Sequence, residues 1–91
     1  MYKLILEVTQ VPKKCAAGYK IGDKIVIEDP KIMLNESTNV CLYALSSLMP
    51  YLTPLSRELM KDDWMSNVTE LSCQDPSDAV RFRVTRVKST P

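Results

Sequence analysis

From Cys41 to Leu59 the apolar residues return every three or four positions, and on both sides of that stretch they return every two. This change of period, from 2 to roughly 3.6 and back, constrains the fold more than any other feature of the chain. Cys41, Leu45, Leu48, Leu52, Leu55 and Leu59 make one stripe along a helical cylinder. At the N-terminus, Tyr2, Leu4, Leu6 and Val8 fall on one face of an extended segment. Lys3, Glu7 and Thr9 fall on the other, with Ile5 the exception. That is a half-buried strand over residues 2–11, ended by Pro12, which cannot donate to a ladder.

Lys24–Glu28 is a second strand, rich in β-branched residues and closed by Asp29-Pro30. Val68–Ser72 is a short third. Ala79–Lys88 is the last, with Val80, Phe82 and Val84 inward and Arg81, Arg83 and Thr85 outward. Between them, Pro50 and Pro54 interrupt the helical stripe, because each removes a donor and crowds the preceding turn. The spacing therefore predicts a helix over 38–50, opened by the N-cap types of Asn35–Asn39, then a break. A second helix is expected over 54–62, with Thr53 as N-cap and Pro54 at the first position. Trp64 and Met65 are expected to fold back on the core, and the tail at 89–91 to fray.

The order is strand, strand, helix pair, strand, strand. It implies one α+β domain over residues 1–91: a small antiparallel or mixed sheet with a broken helical hairpin inserted between two strand pairs. The helices would lie on one face, and the terminal strands would pair.

The chain has only two glycines, Gly18 and Gly22, and both fall in the loop after the first strand, with Cys15 three residues ahead of the first. Gly22-Asp23 reads as a tight turn into the second strand, since glycine takes positive φ without steric cost. Cys15 and Cys73 each follow a strand, and Cys41 opens the helical stripe. If both loops leave the sheet at one end, near the helix N-terminus, the three sulfurs converge. A helix N-terminus favours thiolate, and Lys13 and Lys14 add positive charge beside Cys15. Three thiolates would suit a soft metal such as zinc, with a fourth position open, or redox or nucleophilic chemistry. Because each Zn–S bond is ~2.3 Å, that reading requires sulfurs within about 4 Å of one another. Against it stand the long spacings and the absence of histidine. Free cysteine is also commonly a buried apolar residue, and Cys41 lies on the apolar stripe.

Asp23, Asp75 and Asp78 lie in turns, where aspartate ordinarily binds its own backbone. Arg81 and Arg83 share a strand face and are candidates to grip an anion; the alternative is a solvated face paired with acids such as Glu7 on a neighbouring strand. A net charge of +1 leaves no field to hold nucleic acid or an acidic membrane, and no run approaches the ~18 apolar residues of a span. The N-terminus has no signal-peptide cleavage pattern, so the sequons at Asn35 and Asn67 read as chance matches. The expected compartment is the cytoplasm, with reduced thiols. The lack of histidine excludes a Ser-His or Cys-His pair within the chain.

Three stretches in order, CAAGYKIGDK, VCLYALSSLMPYL and CQDP, followed by the closing strand VRFRVTRV, carry a resemblance. The chain resembles a family of small bacterial and archaeal proteins with no assigned reaction. Its motifs are Cys-x-x-Gly-His-Lys-x-Gly-Asp, a Cys opening a helix that contains a His, and Cys-Pro-Asp-Pro. Cys15, Gly18, Lys20, Gly22 and Asp23 match the first; Cys41, Pro50 and Tyr51 the second; Cys73, Asp75 and Pro76 the third. Tyr19 and Ser46 stand where the family has histidines, and Leu42 and Gln74 where it has prolines. The resemblance implies Cys15, Cys41 and Cys73 as site anchors and Gly18, Lys20, Gly22, Asp23 and Asp75 as loop and turn anchors.

Two functions follow as expectations. One is a thiol-lined site binding a soft metal or a small ligand. The alternative is a non-catalytic module that associates with itself, since so short a chain tends to bury leftover apolar surface in an oligomer.

Overall fold

The computed structural model describes residues 1–75 and 78–88; Pro76 of the third motif and the tail at 89–91 lie outside them. Five strands are described: β1 (Tyr2–Gln10), β2 (Lys24–Glu28), β3 (Lys31–Ile32), β4 (Glu70–Ser72) and β5 (Arg81–Lys88). They form one antiparallel sheet in the order β3-β2-β1-β5-β4, so the terminal strands pair at its centre. The alternation in the sequence sets the register. Leu4 stands opposite Ile27, Leu6 opposite Ile25 and Val84, and Val8 opposite Phe82. All seven are buried on the face that receives α1 (Leu42–Leu55). Burying a side chain of this size contributes about 1.5–3 kcal/mol, and Phe82, Leu4, Leu6, Ile25, Leu48 and Leu55 are among the largest fully buried.

The helical hairpin expected from the prolines is not formed: α1 runs unbroken from Leu42 to Leu55 through Pro50 and Pro54, and no second helix follows over 54–62. The reason lies in the face the prolines occupy. Ser46, Pro50 and Pro54 are four apart, and Ser46 and Pro50 are exposed. The carbonyls that lose their donors, those of Ser46 and Pro50, therefore open toward water, where hydration replaces the missing bond. The buried stripe of Ala44, Leu48, Leu52 and Leu55 is untouched.

Asn35–Asn39 does not cap the helix either; Cys41 is the N-cap. This segment instead covers the free edge of β2 beyond the two-residue β3. Ser37 Oγ accepts from Val26 N–H at 2.9 Å, Met33 N–H donates to Val26 O at 2.8 Å, and Thr38 Oγ1 accepts from Lys24 N–H at 3.1 Å. The hydroxyls stand in for a strand's carbonyls, which blunts an edge otherwise open to pairing. The second strand thus does not simply stop at Asp29-Pro30 but turns there into β3. Trp64 does not enter the core: it meets Tyr51 edge-on, with centroids 6.5 Å apart, and stays 65% exposed.

Candidate functional site

The antiparallel order brings the end of β1, the start of β2, the end of β4 and the start of β5 to one end of the sheet. α1 runs so that its N-terminus is at this end. Its C-terminus is at the other, where Ser56 O accepts from Tyr2 N–H at 2.7 Å. The loops that carry Cys15 and Cys73 therefore leave the sheet beside the N-cap Cys41, and all three cysteines line one pocket of about 380 Å³. All three are free and half-buried. Cys73 Sγ accepts from Val80 N–H at 3.2 Å, and Cys73 N–H donates to Val80 O at 3.0 Å, which closes the loop between β4 and β5. The Cys15 loop is shaped by Gly18, whose φ is +72° and whose N–H donates to Cys15 O at 2.9 Å.

Tyr19 is the residue that the sequence reading passed over as a site member. It lines the pocket, is 7% exposed, and sets its ring edge-on to Phe82 at 5.8 Å. Its hydroxyl accepts from Cys41 N–H at 2.7 Å. Burial holds its phenol above the ordinary value of 10.0, opposed by that N–H and reinforced by the carboxylate of Asp23. Its local sequence carries no period that marks it, because the hydroxyl meets Cys41 only through the tertiary fold. Ser46 is exposed and does not line the pocket.

Around the sulfurs the walls are mostly apolar, from Pro12, Ala16, Ala17, Ala44 and Val80. Lys14, Asp75 and Asp78 bring charge to the lining. Asp75 Oδ1 also accepts from Asp78 N–H at 3.4 Å. Among the described residues no three His, Cys, Asp or Glu side chains are placed to hold a metal ion, so the three cysteines form a pocket wall rather than an assembled metal centre.

The other anchors fall elsewhere. Gly18, Lys20 and Asp23 line a neighbouring polar hollow that shares Ala17 and Tyr19 with the first, with Thr38 and Asn39. Asp23 Oδ2 accepts from Lys20 N–H at 2.9 Å, and Gly22, with φ +95°, takes the third place of that turn, as a type II turn requires. Arg81 and Arg83 project from the opposite face of the sheet. Arg81 pairs with Glu70 at 2.8 Å, and Arg83 stands between Glu7 and Glu70 in the register. Acids on both sides make this a charge-balanced, solvated face.

Comparison with protein-family models, with curated proteins and with solved structures finds no match. Among the described residues no helix is long and apolar enough to cross a membrane.

Proposed function

We propose that the chain is a small-ligand-binding protein whose site is the thiol-lined pocket at the sheet end. One observation carries this reading: three cysteines from three separate segments line the same cavity, together with a buried tyrosine. A volume near 380 Å³ falls in the range of roughly 300–1,000 Å³ usual for small-molecule sites. The mostly apolar lining with a few polar groups suits a compact organic molecule. Free thiols suit a reducing compartment, and we place the protein in the cytoplasm.

Native mass spectrometry of untagged protein purified without oxygen tests the reading. A stoichiometric organic adduct, lost on Cys15→Ser or Cys41→Ser, is the expected result. A metal adduct lost on the same substitutions would transfer the pocket to a soft metal, through rearrangement of the sulfurs. A clean apo mass at a fixed oligomer number would favour the second reading, self-association. That reading has its own support in the outer side of α1, where Leu42 and Met49 are 71% and 56% exposed, beside the exposed Tyr43 and Trp64.

A further inference from the structure

The pocket's contents specify a ligand chemistry more narrowly than its volume does. Of the three sulfurs, that of Cys73 is engaged by Val80 N–H and tied into its loop. The sulfur of Cys41 is in a different position. Cys41 is the N-cap of α1, yet its side chain makes no capping bond. The N–H groups of Leu42, Tyr43 and Ala44 in the first turn have no acceptor within the helix. Negative charge that develops beside Cys41 is favoured by those donors and by the helix dipole. Tyr19 adds a buried hydroxyl that touches the Cys41 backbone. Because this hydroxyl accepts from Cys41 N–H, it keeps its own proton to donate, and burial holds the phenol in the protonated form that can do so.

We infer that the pocket takes a small neutral aldehyde with a short apolar body and holds it as a reversible hemithioacetal on Cys41. This rests on the reading of the pocket as a ligand site. The thiol sulfur forms a bond to the carbonyl carbon, the π pair moves to the carbonyl oxygen, and the thiol proton passes to that oxygen. Nothing is oxidised or reduced and nothing leaves. The charge that builds on the oxygen meets the Tyr19 hydroxyl and the first-turn N–H groups, donors fixed before the ligand arrives. The apolar body lies against Ala16, Ala17, Ala44 and Val80. A carboxylate ligand is disfavoured, because Asp75 and Asp78 line the pocket with only Lys14 against them.

The test is titration of the reduced, untagged protein with butanal labelled with carbon-13 at the carbonyl, followed by NMR. The expected result is one saturable tetrahedral-carbon signal per chain, whose attached proton shows contacts to the Cys41 β-protons in the wild-type protein. It should vanish in Cys41→Ser, or in Cys41→Ala should the serine variant not fold. Tyr19→Phe should weaken it about tenfold, the worth of one hydrogen bond. Addition at all three cysteines with the affinity of a free thiol would overturn the inference. So would an imine carbon lost on Lys14→Arg. Shifts of pocket resonances without a tetrahedral carbon would overturn the covalent step while leaving the ligand site standing. The absence of both would overturn the inference, and native mass spectrometry would then decide the pocket reading separately.

Discussion

The hydroxyl of Tyr19 lies 2.7 Å from the backbone nitrogen of Cys41 and accepts its proton, which joins the loop after β1 to the N-terminus of α1. This bond makes the pocket one unit rather than two neighbouring loops. Tyr19→Phe leaves the Cys41 N–H without its acceptor in a half-buried position and should cost about 1–3 kcal/mol. Urea unfolding at neutral pH measures it. A change near zero would mean that the two segments are held together by packing alone.

The same phenol sets an alkaline limit. Its pKa is raised above 10.0 in the folded protein, chiefly by burial, so the folded state keeps a proton that the unfolded chain releases. Its contribution to stability is present in full below pH 10 and is lost as pH rises through the folded pKa. Unfolding midpoints should therefore fall more steeply above pH 10 in the wild type than in Tyr19→Phe. Parallel curves would show that Tyr19 does not titrate in this range.

At the other end of the helix, Arg86 acts as a clamp. Its Nε donates to Leu55 O at 2.7 Å, its Nη2 donates to Arg57 O, and its guanidinium lies 4.1 Å from the centre of the Tyr2 ring. A cation at the last carbonyls of a helix is favoured by the dipole as well as by the bonds. Arg86→Met keeps the stem and removes both bonds; the expected loss is about 2 kcal/mol by thermal or urea unfolding. Arg86→Lys should lose part of that, since an ammonium lacks the planar fork. A loss within about 0.5 kcal/mol, that of an ordinary surface change, would remove the clamp from the account.

Ser37 Oγ completes the hydrogen bonding of Val26, which is 1% exposed. Ser37→Ala strands that N–H and should cost about 1–3 kcal/mol. Hydrogen exchange gives a sharper readout. The Val26 amide should exchange faster, while the amides of Ile25 and Ile27, which alternate toward β1, keep their protection. Uniform acceleration across β2 would mean that the edge segment stabilises the strand only globally.

The strands were legible because period 2 survives burial on one face: Leu4, Leu6, Val8, Phe82 and Val84 can face the core in one register only. The unbroken helix was not legible. Its prolines are tolerated because the carbonyls they leave without donors, those of Ser46 and Pro50, belong to exposed residues, and that orientation is set by packing that no local rule contains. The edge role of Asn35–Asn39 was hidden for a related reason, since serine and threonine hydroxyls serve a helix cap and a strand edge equally well. At the site, the shared lining of one pocket by Cys15, Cys41 and Cys73 followed from two loops leaving one end of an antiparallel sheet. Tyr19 was missed because a lone aromatic in a loop has no period to mark it, and its hydroxyl finds Cys41 only through the tertiary fold.

Gly22 offers a separable test of how the loop is aimed. Its φ is +95°, and a Cβ built there would meet nothing within 4 Å. Any cost of Gly22→Ala is therefore backbone strain rather than collision, about 1–2 kcal/mol for an L-residue forced into the left-handed region. The turn also positions Val8 O, which accepts from Gly22 N–H at 2.9 Å, and so ties the loop back to the end of β1. Gly22→Ala should lower the stability by that amount and leave the Tyr19 ring edge-on to Phe82, as read from their mutual NMR contacts. Gly22→Asn should cost less, because asparagine tolerates this region better. Equal losses for the two substitutions would show that the turn relaxes to negative φ, and loss of the Tyr19–Phe82 contacts would show that Gly22 governs the pocket wall itself.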